Sequence, residues 1–216
     1  MVSSLSGSGV IERDIMLCEV IAGLGNIRGR KRFQKSMFIA KALGYPVPED
    51  FVWGNYGVYS SQLQWELDSL VRDEMIVERN AAKPGQPAEY DYSVDAGGAQ
   101  LLERAKMLAA EVGEAGSSLN QADDPVSCIG NNEIVALIAF LRKMSEKSVR
   151  DLELWSSILY LRQSEKNDEN LISFLRYLKP QYSVEDVQKG IGEVEGLSAL
   201  SFQKVRSLKA SGKTSK

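Results

Sequence analysis

Two short stretches of sequence decide the fold of this chain. Residues 29–35 read Gly-Arg-Lys-Arg-Phe-Gln-Lys, and residues 53–61 read Trp-Gly-Asn-Tyr-Gly-Val-Tyr-Ser-Ser. The first is typical of the start of a basic helix, and the second of an aromatic turn that leads into a helix capped by Ser61. Residues 76–80 and 89–94 then have the pattern of two strands joined by a loop. This order predicts a winged helix-turn-helix.

The predicted fold is mainly α with a small β hairpin: a winged helix-turn-helix N-terminal half plus an all-helical C-terminal half. The winged helix-turn-helix domain is expected at residues 1–112. Residues 113–131 are rich in Gly, Ser, Asn and Asp and are predicted to form a linker. Helical periodicity predicts a helical domain at 132–200. Residues 201–216 carry five basic residues and no acid, and are predicted to be a disordered tail.

Composition excludes several classes of function. The chain of 216 residues contains no histidine, so Ser-His and Cys-His catalytic pairs are impossible. Cys18 and Cys128 are too few for a four-thiolate zinc site and lack a redox spacing. We therefore expect no enzyme, no cofactor and no metal. The chain also lacks a long apolar run and a charged N-terminal signal, so a cytoplasmic protein without a membrane partner is predicted.

Positive charge is concentrated although the net charge is −3. Residues 28–41 hold six basic residues and no acid, and such a segment is able to contact phosphates. In a helix-turn-helix, the helix after the turn enters the major groove, and a wing adds backbone contacts. The candidate nucleic-acid-binding residues are therefore Arg28, Arg30, Lys31, Arg32 and Lys35 near the basic helix, Gln62, Gln64 and Arg72 after the turn, and Arg79 and Lys83 in the hairpin.

The helix after the turn also has features that do not suit DNA. Glu66, Asp68 and Asp73 are expected on its exposed side, where their carboxylates would repel phosphates. Trp65 falls nearly opposite Leu63 on the polar face of the same helix. Because a bare indole is unfavourable in water and common at contact sites, Trp65 is the candidate partner-binding residue, covered by the C-terminal helices or by a partner chain.

The two stretches quoted above carry a resemblance to the bacterial YwgA family. That family shows a Gly-Arg-Lys-x-hydrophobic-Gln-Lys helix followed by a Tyr-Gly-Pro-Tyr-Ser turn, and here Phe33 and Val58 replace the usual leucine and proline. The motif match covers residues 27 to about 94, and the second half is similar in pattern. The resemblance implies a winged helix and a regulatory role, without a defined ligand or reaction. A related turn also precedes a helix in some antitoxin-type domains.

Two functions remain open at the level of sequence. The first is a winged-helix DNA-binding or regulatory protein of the transcription-regulator type, with DNA as its partner. The alternative is a protein–protein interaction module, antitoxin-like or adaptor, which uses the winged helix without binding DNA. A homodimer is compatible with both. The simplest interpretation of the basic residues is a solvated helix start paired with acids. Tyr56 and Tyr59 are expected to pack under the turn.

Overall fold

The computed structural model describes residues 8–82, 89–114 and 132–211. The helices are α1 (Ser8–Leu24), α2 (Arg30–Ala42), α3 (Ser61–Arg72), α4 (Ala96–Glu114), α5 (Asn132–Ser145), α6 (Val149–Leu161), α7 (Asp168–Leu178) and α8 (Val184–Ser211). The strands are β1 (Ile27–Arg28), β2 (Val52–Gly54), β3 (Gly57–Tyr59), β4 (Ile76–Asn80) and β5 (Tyr90–Val94). The predicted mainly α fold with a small β hairpin is confirmed.

The chain divides into two compact units that alternate along the sequence. Unit 1 comprises Met1–Arg30 and Gln62–Ala139, and unit 2 comprises Lys31–Ser61 and Phe140–Lys216. Each unit thus combines segments from both halves of the chain. The predicted linker, residues 113–131, lies outside the described residues from 115 onward. The predicted tail at 201–216 begins within α8, and residues 212–216 also lie outside the described part.

Unit 1 is built around a three-stranded antiparallel sheet with the order β1-β5-β4. In the register, Tyr92 of β5 lies between Ile27 of β1 and Glu78 of β4. Tyr92 is fully buried, and burial raises the pKa of its phenol above the usual range. Helix α1 packs on β5 and on α4, and the apolar stripe of α3 is buried as well. The core of this unit therefore lies between the sheet and its helices.

Unit 2 combines the β2–β3 hairpin with the C-terminal helices. Helix α6 packs on β3, α7 and α8, and its Leu152 and Ile158 are buried. The Ser148 side chain accepts a hydrogen bond from the backbone N–H of Asp151 and so caps the start of α6. Ser183 accepts in the same way from Asp186 N–H, at 3.1 Å, before α8. Local capping therefore sets the positions at which these helices begin.

Residues 53–61 form more regular structure than a turn. Val52 pairs with Tyr59, Trp53 with Val58 and Gly54 with Gly57, which gives a second antiparallel hairpin before α3 begins. The expectation that Tyr56 and Tyr59 pack under the turn is wrong, because both side chains are exposed. Alternation along a strand is the reason: Val58 takes the buried face, so its neighbour Tyr59 points to the other face.

Candidate functional site

Helix α3 presents one apolar face to the core of unit 1 and one mixed face to solvent. Leu63, Leu67 and Leu70 recur at helical spacing and are all buried. This burial fixes the rotation of the helix and leaves Trp65 59% exposed. Cover of Trp65 by the C-terminal helices, which belong largely to unit 2, stays a prediction. A partner chain remains the other predicted cover.

Arg30 is held rigidly close to this exposed face of α3. Its Nε donates to Glu78 Oε1 at 2.8 Å, and its Nη2 lies 3.6 Å from Asp68 Oδ1. The guanidinium group also lies 4.8 Å from the ring centroid of Tyr90, in a cation–π arrangement. Asp68 follows Trp65 by one helical turn, so the arginine and the indole share one surface. We call Arg30, Trp65, Asp68, Arg72 and Tyr90 the α3 surface.

The polar side chains of α3 that were predicted to contact bases are bonded within the helix. Gln62 Nε2 donates to Glu66 Oε1 at 3.0 Å, and Gln64 Nε2 donates to Asp68 Oδ1 at 2.9 Å. Arg72 Nη2 donates to Ser69 Oγ at 2.7 Å, yet most of its side chain is exposed. These intrahelical bonds would have to break, or be shared, before the two glutamines could bind a base edge.

Glu66 differs from the sequence expectation, because it is buried rather than exposed on α3. Arg13 of α1 places its Nε 3.0 Å from Glu66 Oε1 and so compensates the charge. The nearby carboxyl of Asp14 is partly buried. Burial, and then the charges of Glu66 and Asp73, raise the pKa of Asp14 to about 6. Burial also raises the pKa of Cys18 to about 12, so this thiol is not an activated nucleophile.

The Asp14→Asn variant is expected to be more stable than the parent above pH 6. The pKa of Asp14 is raised from 3.8 to about 6 in the folded state, so the folded state holds the carboxyl proton more tightly than the unfolded state does. The folded state therefore loses stability relative to the unfolded state as pH rises through this window. Removing the charge should add roughly 1 kcal/mol to the free energy of unfolding at neutral pH, allowing for solvent screening, and little at pH 4. Urea unfolding as a function of pH measures this, with the exposed Asp50→Asn as control. Equal gains at both pH values would contradict the prediction.

Strand register brings two of the predicted nucleic-acid contacts together. Arg28 of β1 and Arg79 of β4 both lie directly opposite Asp91 of the central strand β5. Opposite residues of adjacent strands point to the same face, so the two arginines stand about 10 Å apart on one sheet face. Both are exposed. Lys83, the other predicted wing contact, lies outside the described residues.

In unit 2, the basic residues of α2 contact other groups of the same unit. Lys31 Nζ lies 2.7 Å from Glu153 Oε2, so it forms an ion pair. Arg32 donates to the backbone carbonyls of Ser145 and Lys147 at the C-terminal end of α5. Carbonyls at a helix end have no partner within the helix, and a guanidinium group stabilises them. The expectation that the basic helix start pairs with acids therefore holds for Lys31, whereas Arg32 pairs with carbonyls.

Gln34 and Lys35 bond the outer edge of strand β3. The Gln34 amide donates to Ser60 O at 2.9 Å and accepts from Ser60 N at 3.0 Å. The Lys35 ammonium donates to the carbonyls of Val58 and Tyr56. Alternate carbonyls of a strand point to the same edge, so the two side chains occupy the place of a further strand. We call Gln34 and Lys35 the capping pair.

The predicted phosphate contact of Lys35 is corrected by this geometry, because the side chain is only 3% exposed. Lys179, which follows α7, is also buried and pairs with Glu153. Burial lowers the pKa of Lys35 to about 8, with Glu153 opposing and Lys179 and Lys31 assisting the shift. Burial by itself would raise the pKa of Glu153, but hydrogen bonds from Lys179 and Lys31 hold this pKa below its usual value. We call Lys31, Lys35, Glu153 and Lys179 the lysine cluster.

Gly57 provides the space that the lysine cluster needs. Its φ is +88°, which favours glycine. A Cβ at this position would lie 3.2 Å from Lys179 Nζ and 3.4 Å from Lys35 Nζ. Sequence reasoning missed Lys179 and Glu153, because neither belongs to a motif and each lies far from α2 along the chain. The motif residues Gln34, Lys35 and Gly57 are thus explained by one packing arrangement.

The described residues were searched for clusters of metal-ligating side chains and for helices that could span a membrane. No group of three or more Cys, Asp or Glu side chains among them is arranged to hold a metal ion. None of the helices in this described part of the chain combines the length and apolarity that a membrane span requires.

Comparison with known proteins shows a similarity that extends along most of the chain. No protein-family model matches the sequence. The chain is 24% identical over 191 residues to a protein of Bacillus subtilis (strain 168) named "Uncharacterized protein YwgA"; the match covers 88% of this chain and 99% of the relative. The similarity extends well beyond the two motifs and supports the YwgA-like resemblance that they predicted.

Proposed function

We propose that this YwgA-like chain is a cytoplasmic regulatory protein that binds another protein through the α3 surface. In this proposal the chain carries a winged helix and acts as an antitoxin-like or adaptor module rather than as an enzyme. The single observation that carries the proposal is Trp65, a large apolar side chain left 59% exposed on a helix whose other face is fully packed. Tryptophan, tyrosine and arginine dominate the binding energy of protein interfaces, and the α3 surface contains all three.

The winged-helix part of the proposal is supported by element order. The chain runs α1, β1, α2, α3, β4, β5, with the β2–β3 hairpin inserted between α2 and α3. The sheet order β1-β5-β4 places the last strand in the centre, between a short first strand and the strand that follows α3. This combination is typical of a winged helix, in which β4 and β5 form the wing.

Pre-organisation supports a protein partner. Arg30 is fixed by Glu78, Asp68 and the Tyr90 ring, so little conformational entropy would be lost when a partner binds. The carboxylates of Asp68 and Asp73 on the same helix disfavour a close approach of phosphates. Moreover, Lys35 is buried and Lys31 and Arg32 already have partners in unit 2, so little of the predicted positive surface is free.

DNA binding is kept as a second candidate because of the sheet face that carries Arg28 and Arg79. Two exposed guanidinium groups on one face of the sheet are suited to backbone phosphates. Asp91 between them reduces the local charge, and the chain carries 29 acidic residues against 26 basic ones. This candidate therefore predicts weak, strongly salt-dependent binding without sequence preference.

Site-specific photocrosslinking of the full-length protein tests the proposal. A benzophenone amino acid replaces Trp65 in bacterial cells, and the matched control replaces Met107, an exposed apolar residue of α4 in the same unit. We expect a discrete protein adduct at position 65 that is absent at position 107 and is lost when Arg30 is changed to Ala. Adducts of equal yield at both positions, or none at position 65, would contradict the proposal.

A DNA titration separates the second candidate from the first. Fluorescence anisotropy with duplex DNA at low and high salt is compared for the parent, the Arg28→Gln/Arg79→Gln variant and Trp65→Ser. Under the main proposal the parent shows no binding that survives physiological salt. Binding that is weakened by the double arginine variant and unaffected by Trp65→Ser would support the DNA function in its place.

A further inference from the structure

The lysine cluster of unit 2 places three ammonium groups around one carboxylate. Lys31 and Lys35 are four residues apart on α2, so they lie on the same face of this helix. Glu153 of α6 pairs with Lys31 at 2.7 Å and with Lys179, and it is also the acid that acts on Lys35. Three ammonium charges against one carboxylate leave the cluster with an excess of two positive charges.

Burial makes this excess charge unfavourable. Lys35 and Lys179 are both less than one-tenth exposed, so little water solvates either ammonium group. A buried charge that is not neutralised costs free energy, and a lysine relieves this cost by losing its proton. The pKa of Lys35, lowered to about 8, has this origin: burial is the main cause, Glu153 opposes it, and the two neighbouring ammonium groups add to it.

A neutral amine is therefore available at Lys35 near physiological pH. At pH 7, about one Lys35 side chain in ten is neutral, against fewer than about one in a thousand for an ordinary lysine. The neutral form of a lysine is a nucleophile, whereas the ammonium form is not. Lys35 thus differs from a surface lysine in its chemistry as well as in its burial.

The hydrogen bonds of Lys35 leave its nitrogen free to carry a substituent. Its Nζ donates to the carbonyl of Val58 and lies 3.4 Å from the carbonyl oxygen of Tyr56. The second distance is at the long limit of a hydrogen bond. Among the described residues, one N–H of Lys35 is therefore firmly bonded to β3. The nitrogen can keep this bond when one of its other protons is replaced.

A negative group on Lys35 would balance the charge of the cluster. Lys35 Nζ and Lys179 Nζ lie 3.4 and 3.2 Å from the same point, the position that a Cβ of Gly57 would occupy. The Lys31 side chain is 52% exposed, so the cluster opens to solvent at this residue. A carboxylate carried by Lys35 would have one ammonium group under the hairpin and another at the opening. Such charge-assisted hydrogen bonds are among the strongest polar contacts in proteins.

We propose that Lys35 is a site of reversible carbamylation by carbon dioxide. The lone pair of the neutral Nζ attacks the carbon of CO₂, one C=O electron pair moves to oxygen, and one N–H proton passes to water. The product is a carbamate, –NH–COO⁻, formed without any oxidation or reduction. Its remaining N–H donates to Val58 O, and its carboxylate accepts from Lys31 and Lys179.

Charge and size both favour carbon dioxide at this position. Replacing the ammonium of Lys35 by a carbamate leaves two positive and two negative groups, so the excess charge of the cluster disappears. Carbon dioxide is small and uncharged, so it can reach a buried amine that the phosphates of a DNA duplex do not contact. The site lies within unit 2, apart from the α3 surface, and does not depend on the proposed function.

Carbon-13 NMR of the full-length protein tests this inference. The protein is equilibrated with ¹³C-labelled bicarbonate and carbon dioxide at a pH near the Lys35 pKa of about 8. We expect a carbamate resonance that is absent from the Lys35→Gln variant. The α-amino group also forms a carbamate, and its resonance should remain in every variant. Trapping with triethyloxonium ion, followed by mass spectrometry, should then locate an ethylated carbamate on Lys35.

Two matched variants make the result decisive. Lys31→Gln removes one ammonium partner from a half-exposed position, and should lower carbamate occupancy at fixed carbon dioxide at least about 5-fold. Lys189→Gln is the control, because it removes an exposed lysine of unit 2 that also pairs with a glutamate, Glu193. Its occupancy should equal that of the parent.

Thermal unfolding verifies that each variant is folded, and Lys31→Gln decides the question if Lys35→Gln does not fold. The inference is overturned if the α-amino carbamate is the only one observed in the parent. It is also overturned if the additional resonance persists in folded Lys35→Gln, or if Lys31→Gln and Lys189→Gln have equal occupancy.

Discussion

Replacing Gly98 by alanine is expected to destabilise unit 1 by about 3 kcal/mol or more. A Cβ on Gly98 would lie 2.2 Å from the carbonyl oxygen of Met75, where an ordinary carbon–oxygen contact needs about 3.3 Å. That carbonyl cannot simply move away, because it accepts a hydrogen bond from Asp95 N at 3.0 Å. The new methyl group would also lie 3.0 Å from Val94 Cγ1. The start of α4 must therefore separate from the segment before β4.

Gly192→Ala is the matched control for this prediction. Gly192 lies within α8, and nothing lies within 4 Å of the position of its Cβ. Alanine is a better helix former than glycine, so this variant should gain about 0.5–1 kcal/mol. Urea unfolding followed by far-UV circular dichroism measures both changes. A Gly98→Ala protein with the same unfolding midpoint as the parent would refute the close approach of α4 to Met75.

Loss of the Gln34 amide is expected to lower the free energy of unfolding of unit 2 by about 2–4 kcal/mol. In Gln34→Ala, the buried N–H and carbonyl of Ser60 both lose the hydrogen bond that the Gln34 amide supplies. Gln34→Glu should also destabilise, because a carboxylate accepts from Ser60 N–H but does not donate to Ser60 O, and it adds a buried charge. The outer edge of β3 would then lose the bonds from Gln34 and keep those from Lys35.

Tryptophan fluorescence measures this second effect, since Trp53 and Trp155 both belong to unit 2. The control is Gln64→Ala, which removes one partly exposed hydrogen bond within α3 and should change stability by less than about 0.5 kcal/mol. Equal effects of the two alanine substitutions would show that the bonds between Gln34 and Ser60 add nothing to stability. In that case the capping pair would lose its structural role.

The sequence by itself determined most of the helices and one of the hairpins of this protein. Helical spacing of Leu63, Leu67 and Leu70 located α3, and the Ser148 cap located α6, because both signals depend on residues only a few positions apart. The pattern of residues 76–80 and 89–94 located β4 and β5 in the same way. The two motifs also predicted the YwgA-like resemblance, which the similarity along 88% of the chain supports. DNA binding and protein binding remain predictions.

Only the tertiary structure decided what the basic motif contacts. The local sequence around Lys35 is that of a surface lysine on a basic helix. The side chain is nevertheless buried, because β3 supplies carbonyls and Glu153 supplies a negative charge from a helix distant in sequence. Likewise, Arg28 and Arg79 share one sheet face only through the register of β1 and β4 on β5. Burial and pairing depend on which segments meet in space. Periodicity along the chain reports the face of each element but not its neighbour, so these contacts could not be derived from the sequence.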